Sequence, residues 1–342
     1  MTARGQFTYQ EILSQPQAWA AALQELQAQR PALEALWRNN YNHILFTGCG
    51  STYYLALAAA ALTQQLSGLP CRGLPASELW LYPQSSYPCQ GRVLLVAISR
   101  SGETTETLRA CTAFCEARRG DLLTLSCYPE MPLAGMGDLN LVFPSGQEQS
   151  VAQTRAFSTL YLATVALALT ATSESGPALE ALQALPAAGS RILDAAIPLA
   201  RTLGQDFSLE RFYFLGSGPR HGLASEISLK MKEMSLSHSE PFHFLEFRHG
   251  PKSMITPSAL VVGLLSETNR AAESAVLSDM QAMNARLLVI NDGDLAFPPG
   301  LPEALRNVLY LPPGQLLAFE RSMAKGLNPD RPNNLDTVVY LK

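Results

Sequence analysis

Apolar runs that alternate with amphipathic helical patterns organise the first half of the chain. Helical patterns lie around 52–66 and 104–118, and a long helix is predicted from Thr154 to Leu169. The strand-like runs between them are HILFTG (43–48), RVLLVAIS (92–99), LLTLSC (122–127) and LNLVFP (139–144). This alternation predicts βαβ units and a parallel sheet.

A second set of strand-like runs follows residues 173–187, whose turn signals and short helical pattern predict a linker. These runs are RFYFLGSG (211–218), ALVVGLL (259–265), ARLLVIN (285–291) and NVLYLP (307–312). The two sets resemble each other, since LFTGCGST aligns with FLGSGPRH and LLVAISRSGET aligns with LVVGLLSETNR. Gly48 precedes Ser99 by 51 residues, and Gly216 precedes Ser266 by 50. The sequence therefore predicts a duplicated α/β domain.

The segment before the first strand has a helical pattern. Residues 8–37 carry leucines at helical spacing, and Pro16 and Pro31 predict two helices joined by a bend. We therefore expect an N-terminal helical extension over residues 1–37. Residues 38–185 and 186–342 are then expected to form the two α/β subdomains.

A hydroxyl-rich segment, Ser99-Arg100-Ser101-Gly102-Glu103-Thr104, separates the strand-like run 92–99 from the next helical pattern. A helix N-terminus presents backbone N–H groups and the positive end of the helix dipole, which suit an anion such as phosphate. Ser99, Ser101 and Thr104 add hydroxyl donors, and Arg100 adds a positive charge. An ordinary connection with one serine as N-cap is the simpler interpretation, but it uses only one of these hydroxyls.

The segment 99–104 differs from the nucleotide-binding loops. It has no Gly-Lys-Ser/Thr sequence and no G-x-G-x-x-G run, so we expect a phosphate monoester on a small molecule. The corresponding segment of the second repeat, Ser266-Glu267-Thr268-Asn269, lacks the glycine. The sequence therefore predicts one phosphate site per chain.

Charged residues share one face of a predicted helix in the second repeat. Glu226, Lys230 and Glu233 are separated by four and three positions. A solvated surface network accounts for Glu226 and Lys230. Glu233 has the apolar neighbours Met231 and Met234, and a carboxylate in an apolar site gains basicity. Both a solvated charged face and a base at Glu233 remain open interpretations.

The segment Arg248-His249-Gly250-Pro251-Lys252 ends an apolar, aromatic stretch. Its His-Gly-Pro sequence predicts a turn that presents the imidazole at an edge, and histidine is the usual proton carrier near neutral pH. His238 and His243 lie in the same region. A core or surface position is the common case for any single histidine.

Composition narrows the classes of function. The 342 residues carry a formal net charge of −4 without a basic run, so we expect no nucleic-acid partner. No apolar segment approaches ~20 residues and no signal core is present, so we expect a cytoplasmic protein without a membrane span. The spacing of Cys111 and Cys115 is interpreted as a pair of buried free thiols, and we predict no metal and no cofactor.

Five motifs occur together and in a familiar order. They are Thr47-Gly48-Cys49-Gly50-Ser51-Thr52, the segment 99–104, Lys230-Met231-Lys232-Glu233, Phe247-Arg248-His249-Gly250-Pro251 and Asn328-Pro329-Asp330-Arg331-Pro332-Asn333-Asn334-Leu335. With these motifs the chain resembles the sugar isomerase (SIS) family, and within it the isomerase half of the glutamine–fructose-6-phosphate aminotransferases. The resemblance extends from the first predicted strand to the end of the sequence.

The resemblance implies a fold and a set of substrate-binding residues. The fold would be two tandem flavodoxin-like, doubly wound parallel-sheet SIS subdomains that bind a sugar phosphate. Residues that match the family's substrate-binding positions are Ser99, Arg100, Ser101 and Thr104 for the phosphate, with Ser51, Thr52 and Val151 near the sugar.

The resemblance also implies catalytic roles and an assembly. Glu233 matches the family's isomerase base, Lys230 its neighbouring lysine and His249 the ring-opening histidine. In that family the partner subunit donates the histidine, so a homodimer with shared active sites is expected.

Three features depart from the aminotransferases. The sequence begins with a short helical extension instead of a glutaminase domain, so we expect no glutamine hydrolysis. The family's Schiff-base lysine is not matched, because Asp336 and Thr337 follow Leu335 and the only later lysine is Lys342, the last residue. Arg100 replaces a glutamine that is usual in the aminotransferase phosphate loop.

These observations favour an enzyme that moves a proton between C1 and C2 of an opened phosphosugar. We expect His249 to open the ring and Glu233 to carry the proton through a cis-enediol or enolamine. Backbone N–H groups near Thr52 or Val151 would stabilise the oxyanion. An aldose–ketose isomerase, an amino-sugar-6-phosphate deaminase and a fructosamine-phosphate deglycase all remain open. The alternative class is a non-catalytic sugar-phosphate sensor, which the presence of both Glu233 and His249 disfavours.

Overall fold

Two units, each with its own parallel sheet, make up the computed structural model, which describes residues 3–172 and 175–341. The first-sheet unit comprises Gln17–Glu148, Arg155–Gln183 and the segment from Asp336 onward. The second-sheet unit comprises the segment ending at Pro16, Gln149–Thr154 and Ala184–Leu335. The domain boundaries expected after residues 37 and 185 stay predictions.

Helices and strands alternate along both units. The strands are β1 (His43–Gly48), β2 (Cys71–Pro75), β3 (Val93–Ile98), β4 (Gly120–Ser126), β5 (Leu139–Val142), β6 (Arg211–Leu215), β7 (His238–Phe242), β8 (Ala259–Leu264) and β9 (Arg286–Ile290). The α-helices are α1 (Gln6–Leu13), α2 (Gln15–Leu36), α3 (Ser51–Ser67), α4 (Ala76–Leu81), α5 (Pro83–Ser86), α6 (Thr105–Glu116), α7 (Arg155–Thr170), α8 (Ser175–Ala181), α9 (Leu185–Gly204), α10 (Pro219–Ser235), α11 (Arg270–Ala282) and α12 (Leu311–Ala324).

The first-sheet unit contains a five-stranded sheet with the order β2-β1-β3-β4-β5, and every strand pair is parallel. This is the flavodoxin-like, doubly wound order. All six residues of β3 are buried, as expected for a parallel strand that is covered on both faces. Because β1 and β3 are neighbours, the loops that follow them lie at the switch point of the sheet, where doubly wound folds bind ligands.

The second-sheet unit contains a four-stranded parallel sheet with the order β7-β6-β8-β9. This order repeats that of the first four strands of the other unit, which agrees with the internal similarity of the sequence. The loops that follow β6 and β8 lie at the corresponding switch point. The expected class, tandem flavodoxin-like α/β units, is therefore confirmed.

The structure differs from the sequence predictions at several elements. Residues 307–312, predicted as a strand, form the 3₁₀ helix Asn307–Tyr310 and the start of α12, because prolines are favoured in the first turn of a helix. Strands β2 and β7 were not predicted, since both are short edge strands without a continuous apolar run. The two helices expected before the first strand are α1 and α2, which meet at Ser14 next to Pro16, whereas Pro31 lies inside α2 and marks no break.

The predicted linker is also mostly helical. Its described part contains α8, the 3₁₀ helix Leu182–Ala184 and the start of α9, whereas its residues 173 and 174 lie outside the described residues. The other 3₁₀ helices are Trp37–Asn39, Pro132–Gly135, Pro144–Gly146, Glu246–Arg248, Pro251–Met254, Gly293–Leu295 and Glu303–Leu305. Within the described ranges, no helix has the length and apolar character that a membrane crossing requires.

Candidate active site

Three hydroxyl groups converge in the loop between β3 and α6. The Oγ atom of Ser99 lies 3.3 Å from Thr104 Oγ1, and the Oγ atom of Ser101 lies 3.5 Å from it. The Gly102 backbone N–H donates to Ser99 Oγ at 3.1 Å, and the Glu103 N–H donates to Ser101 Oγ at 3.3 Å. The loop is therefore ordered by its own hydrogen bonds, with a cluster of hydroxyls at the N-terminus of α6 that suits a phosphate group.

Gly102 allows this loop conformation. Its φ of 73° lies in the left-handed region, and a Cβ atom there would lie 3.0 Å from Met131 Cβ. Any other residue at this position would have a strained backbone conformation, and its Cβ atom would crowd Met131.

The guanidinium of Arg100 is held by groups of the same unit. It forms a buried ion pair with Glu148, with 3.3 Å between Nη1 and Oε2, and its Nη2 donates to the Thr337 carbonyl at 3.2 Å. Glu148 in turn accepts the Ala156 backbone N–H at 3.1 Å, close to the start of α7. Arg100 therefore joins the loop to the C-terminal tail and to α7, and Glu148 partly neutralises its charge.

The other residues expected near the sugar lie at or before helix starts. Ser51 and Thr52 are buried in the first turn of α3, and Thr52 Oγ1 both donates to the Cys49 carbonyl and accepts the Cys49 N–H. Val151 belongs to the second-sheet unit, precedes α7 by four residues and donates its N–H to the Asp330 carbonyl at 3.0 Å. The structure thus groups Thr52 with the first-sheet unit and Val151 with the other.

Lys230 lies between two carboxylates on α10 of the second-sheet unit. Its ammonium is 2.6 Å from Glu233 Oε2 and 3.4 Å from Glu226 Oε1. The side chain of Lys230 is 1% exposed and that of Glu226 is 0% exposed, whereas Glu233 is 20% exposed. The surface network proposed for Glu226 and Lys230 is therefore wrong: the pair is buried, and Glu233 alone reaches solvent.

The electrostatics of this cluster favour the charged form of the lysine. Burial alone would lower the pKa of Lys230, but the carboxylates of Glu226 and Glu233 outweigh burial and raise the pKa above its ordinary value. A permanent ammonium at 2.6 Å orients the Glu233 carboxylate, whose exposed edge is accessible to a bound molecule.

His249 lies on the surface of the second-sheet unit. It follows the 3₁₀ helix Glu246–Arg248, and its backbone N–H donates to the Glu246 carbonyl at 2.9 Å. The next residue, Gly250, has a φ of 112°, which produces the turn expected from the His-Gly-Pro sequence. The side chain is exposed, so it is accessible to substrate or to another subunit.

His221 was not identified from the sequence. It lies in the first turn of α10, and its ring stacks on that of His243 with 3.8 Å between centroids. Burial and the neighbouring His243 ring lower the pKa of His221 to about 4. The sequence feature that could have indicated His221 is its position three residues after the Gly-x-Gly of the second repeat.

The cysteines form no cluster suited to a metal. Within the described residues, no group of three or more histidine, cysteine, aspartate or glutamate side chains is placed to hold a metal ion, and all six thiols are free. Burial raises the pKa of Cys111 to about 12, whereas Cys115 is exposed, contrary to its predicted burial.

The chain matches the SIS domain model over residues 39–170, which include β1 to β5 and the loop 99–104. It is 30% identical to the glutamine–fructose-6-phosphate aminotransferase of Bordetella pertussis, over 98% of this chain and 58% of that protein. A similar aminotransferase from Salmonella typhi is 31% identical over 88% of this chain and 52% of its own length. The chain thus spans little more than half the length of these relatives.

Solved structures share the fold over nearly the whole chain. The glucosamine-6-phosphate deaminase of Thermotoga maritima has 27% sequence identity and a TM-score of 0.78, with 94% of this chain and 100% of that one covered. The tagatose-6-phosphate ketose/aldose isomerase of Escherichia coli has 23% identity and a TM-score of 0.82, with 96% of each chain covered, and shows the same fold. The matched family model over residues 39–170 and the 30% identity to an aminotransferase over nearly the whole chain establish that the chain belongs to the SIS domain family.

Proposed function

We propose that this chain is a phosphosugar enzyme that transfers a proton between C1 and C2 of a hexose or hexosamine 6-phosphate. The observation that carries the proposal is the Glu233 carboxylate, partly exposed and oriented by the buried ammonium of Lys230. A general base needs a fixed carboxylate with one accessible edge. A solvated ion pair on a helix surface would not have a fully buried lysine.

The substrate class follows from the loop 99–104 of the first-sheet unit. Its three clustered hydroxyls and the N-terminus of α6 suit a phosphate monoester. The positive charge of Arg100 adds to the local potential, although Glu148 offsets part of it. We therefore assign phosphate binding to Ser99, Ser101 and Thr104, with Arg100 as a further contributor and Ser51, Thr52 and Val151 near the sugar.

The proposed mechanism moves one proton out and back. His249 transfers a proton to the ring oxygen, which opens the closed sugar. Glu233 then takes the proton from C2 while the C1 carbonyl oxygen gains a proton, which gives an enediol or an enolamine. Return of the proton to C1 and loss of a proton from the C2 oxygen give the ketose. In the enolamine case the C2 nitrogen loses the proton instead, and water hydrolyses the resulting imine to the ketose and ammonia. Lys230 stays protonated and fixes the carboxylate. We propose a homodimeric, cytoplasmic enzyme in which His249 acts on the partner subunit's substrate.

Amino-sugar-6-phosphate deamination and aldose–ketose isomerisation are the two reactions that the proposal includes. Relatives named for the chemistry of glucosamine 6-phosphate and of tagatose 6-phosphate support both. Thr337 stands where the aminotransferases have a Schiff-base lysine, and its carbonyl accepts from Arg100. This departure disfavours amine transfer and favours reactions that release ammonia or involve no amine.

A substrate panel with matched variants tests the function. Glucosamine 6-phosphate, fructose 6-phosphate and tagatose 6-phosphate are incubated in D₂O, and NMR detects new isomers, deuterium at C1 or C2 and released ammonia. Glu233→Gln should lower turnover about 10²–10⁴-fold with affinity nearly unchanged, because it removes the base but keeps the shape. Glu210→Gln, at an exposed glutamate, is the control. Near-normal turnover in Glu233→Gln would contradict the mechanism.

The phosphate assignment has its own test. Ser101→Ala should weaken sugar 6-phosphate binding by about tenfold or more, since a hydrogen bond to a charged group contributes about 1.5–3 kcal/mol. Ser85→Ala, at an exposed serine of the same unit, is the control.

The same experiments separate an enzyme from a sensor. If the unaltered chain binds a sugar 6-phosphate but neither converts it nor exchanges deuterium into it, the sensor function replaces the proposed enzyme. Mixing Glu233→Gln with His249→Ala chains tests the shared site, since only heterodimers would regain activity.

A further inference from the structure

The loop that follows β8 binds an internal carboxylate. Both oxygens of Glu303 lie at the N-terminus of α11, within reach of Ser266, Glu267 and Thr268. Oε1 accepts from Ser266 Oγ at 2.7 Å and from the Glu267 N–H at 3.1 Å. Oε2 accepts from the Thr268 N–H at 3.0 Å and from Thr268 Oγ1 at 2.7 Å. Two backbone amides and two hydroxyls therefore converge on one anion.

A buried arginine completes the site from another element. Arg220, in the first turn of α10, places Nη1 at 2.7 Å from Glu303 Oε1. Its side chain is 7% exposed, and its Nε is buried without a hydrogen-bond partner among the described residues. An ordinary helix cap needs one acceptor from a neighbouring residue, whereas this anion comes from a residue 35 positions beyond Thr268. The buried charge distinguishes the site from a simple capped helix.

The donors occupy the places that hold the loop 99–104 and Thr52, the proposed phosphate and sugar contacts, in the other unit. Arg220 stands four residues after Gly216, as Thr52 stands four residues after Gly48, and in both cases a Cβ on the glycine would lie 2.4 Å from the later residue. The hydroxyls of Ser266 and Thr268 follow the third strand of the sheet in chain order, as those of the loop 99–104 do. The same two corners of the fold thus supply the donors.

We propose that the second repeat retains a site for phosphate or a phosphate monoester, and that the Glu303 carboxylate occupies this site in place of the ligand. Glu303 is covalently attached to the chain, so it excludes free phosphate from the site. The loop 99–104 is then the phosphate site that stays open in the unaltered chain. Shortening the Glu303 side chain should open the second site.

The neighbouring charges set the strength of that site. Arg220 also bonds Glu273 Oε1 at 2.7 Å, and Glu273 Oε2 accepts the Ser266 N–H at 2.6 Å. The Glu273 carboxylate therefore offsets part of the positive charge, and we expect millimolar rather than micromolar affinity for phosphate. Burial alone would raise the pKa of Glu303, but the hydrogen bonds from Thr268 and Ser266 and the Arg220 charge lower it, which keeps the internal anion charged.

Thermal unfolding of the full chain with inorganic phosphate tests this proposal. At ten times the dissociation constant, phosphate should raise the Tm of Glu303→Ala by about 3–5 °C more than that of the unaltered chain, at matched ionic strength. Glu303→Gln fills the same space without charge and should show no such gain. Adding Thr268→Val to Glu303→Ala should abolish the gain. Glu303→Ser is the second opening variant in case alanine prevents folding.

Each outcome decides the proposal. A saturable gain in an opening variant that Thr268→Val removes, together with a second bound phosphate by ³¹P NMR, supports it. No gain in either opening variant, or a gain with acetate but not with phosphate, overturns it. All variants keep the loop 99–104 unaltered. If that loop binds no phosphate, the unaltered chain shows no Tm shift, and a shift in an opening variant still reports binding at the second site.

Discussion

Replacing Lys230 with methionine isolates the contribution of the buried ammonium. The methionine side chain fills nearly the same volume, but the Glu226 carboxylate, 0% exposed, loses the positive charge 3.4 Å away. Breaking a buried pair in this way costs about 3–5 kcal/mol, because the carboxylate loses its charged partner while it stays out of water. Glu233 is 20% exposed, so water can solvate its carboxylate. Removing the lysine should therefore destabilise Glu233 much less than Glu226.

The loss of stability in the Lys230→Met variant should depend on pH. In the Lys230→Met variant we expect buried Glu226 to keep its proton up to a higher pH than the same glutamate does in the unfolded chain, because burial disfavours the charged form. The folded state then binds more protons than the unfolded state, so stability falls as pH rises. The variant should therefore be closer to the unaltered chain at pH 5.5 than at pH 7.5.

Hydrogen exchange over α10 measures this effect locally, which avoids a single unfolding free energy for a chain of two units. A loss of about 3–5 kcal/mol corresponds to exchange roughly 10²–10³ times faster or more. Lys232→Met, at an exposed lysine of the same helix, should change exchange little. Lys230→Met/Glu226→Gln should recover much of the loss, since the neutral pair has no buried charge. Exchange in Lys230→Met like that of the control, or no recovery in the double variant, would refute the reasoning.

Two further predictions concern other charged groups. Glu148→Gln removes the charge paired with Arg100, so we expect a lower Tm and a larger stabilisation by inorganic phosphate than in the unaltered chain; equal phosphate shifts would contradict the paired role. His221 has a pKa of about 4 in the folded chain, below its ordinary value of 6.5. As the pH falls from 6.5 towards 4, the unfolded chain takes up a proton at this residue before the folded chain does, so the folded state loses stability over that pH range. The loss should be at most about 2 kcal/mol after solvent screening, and His221→Gln should remove it in urea unfolding between pH 4 and 7.

Local sequence patterns were sufficient for most elements and for both candidate segments. Continuous apolar runs such as that of β3 identify buried parallel strands, and the spacing of Glu226, Lys230 and Glu233 places them on one helix face. Edge strand β7 has no such pattern. It pairs with β6 alone, and this pairing, which no local run of residues records, holds it in the sheet. The prediction failed at residues 307–312 because an apolar run of this length suits a strand and a buried helix equally.

The sequence by itself determined the repeated α/β order, the hydroxyl-rich loop and the spacing of the charged residues, because each depends on residues close together in the chain. Only the tertiary structure decided which charges are buried and with which partners. Arg100 pairs with Glu148, and Arg220 with Glu303, across 48 and 83 positions. Burial and Coulomb attraction depend on distance in space, and the sheet order brings these distant segments together in a way that no local periodicity records.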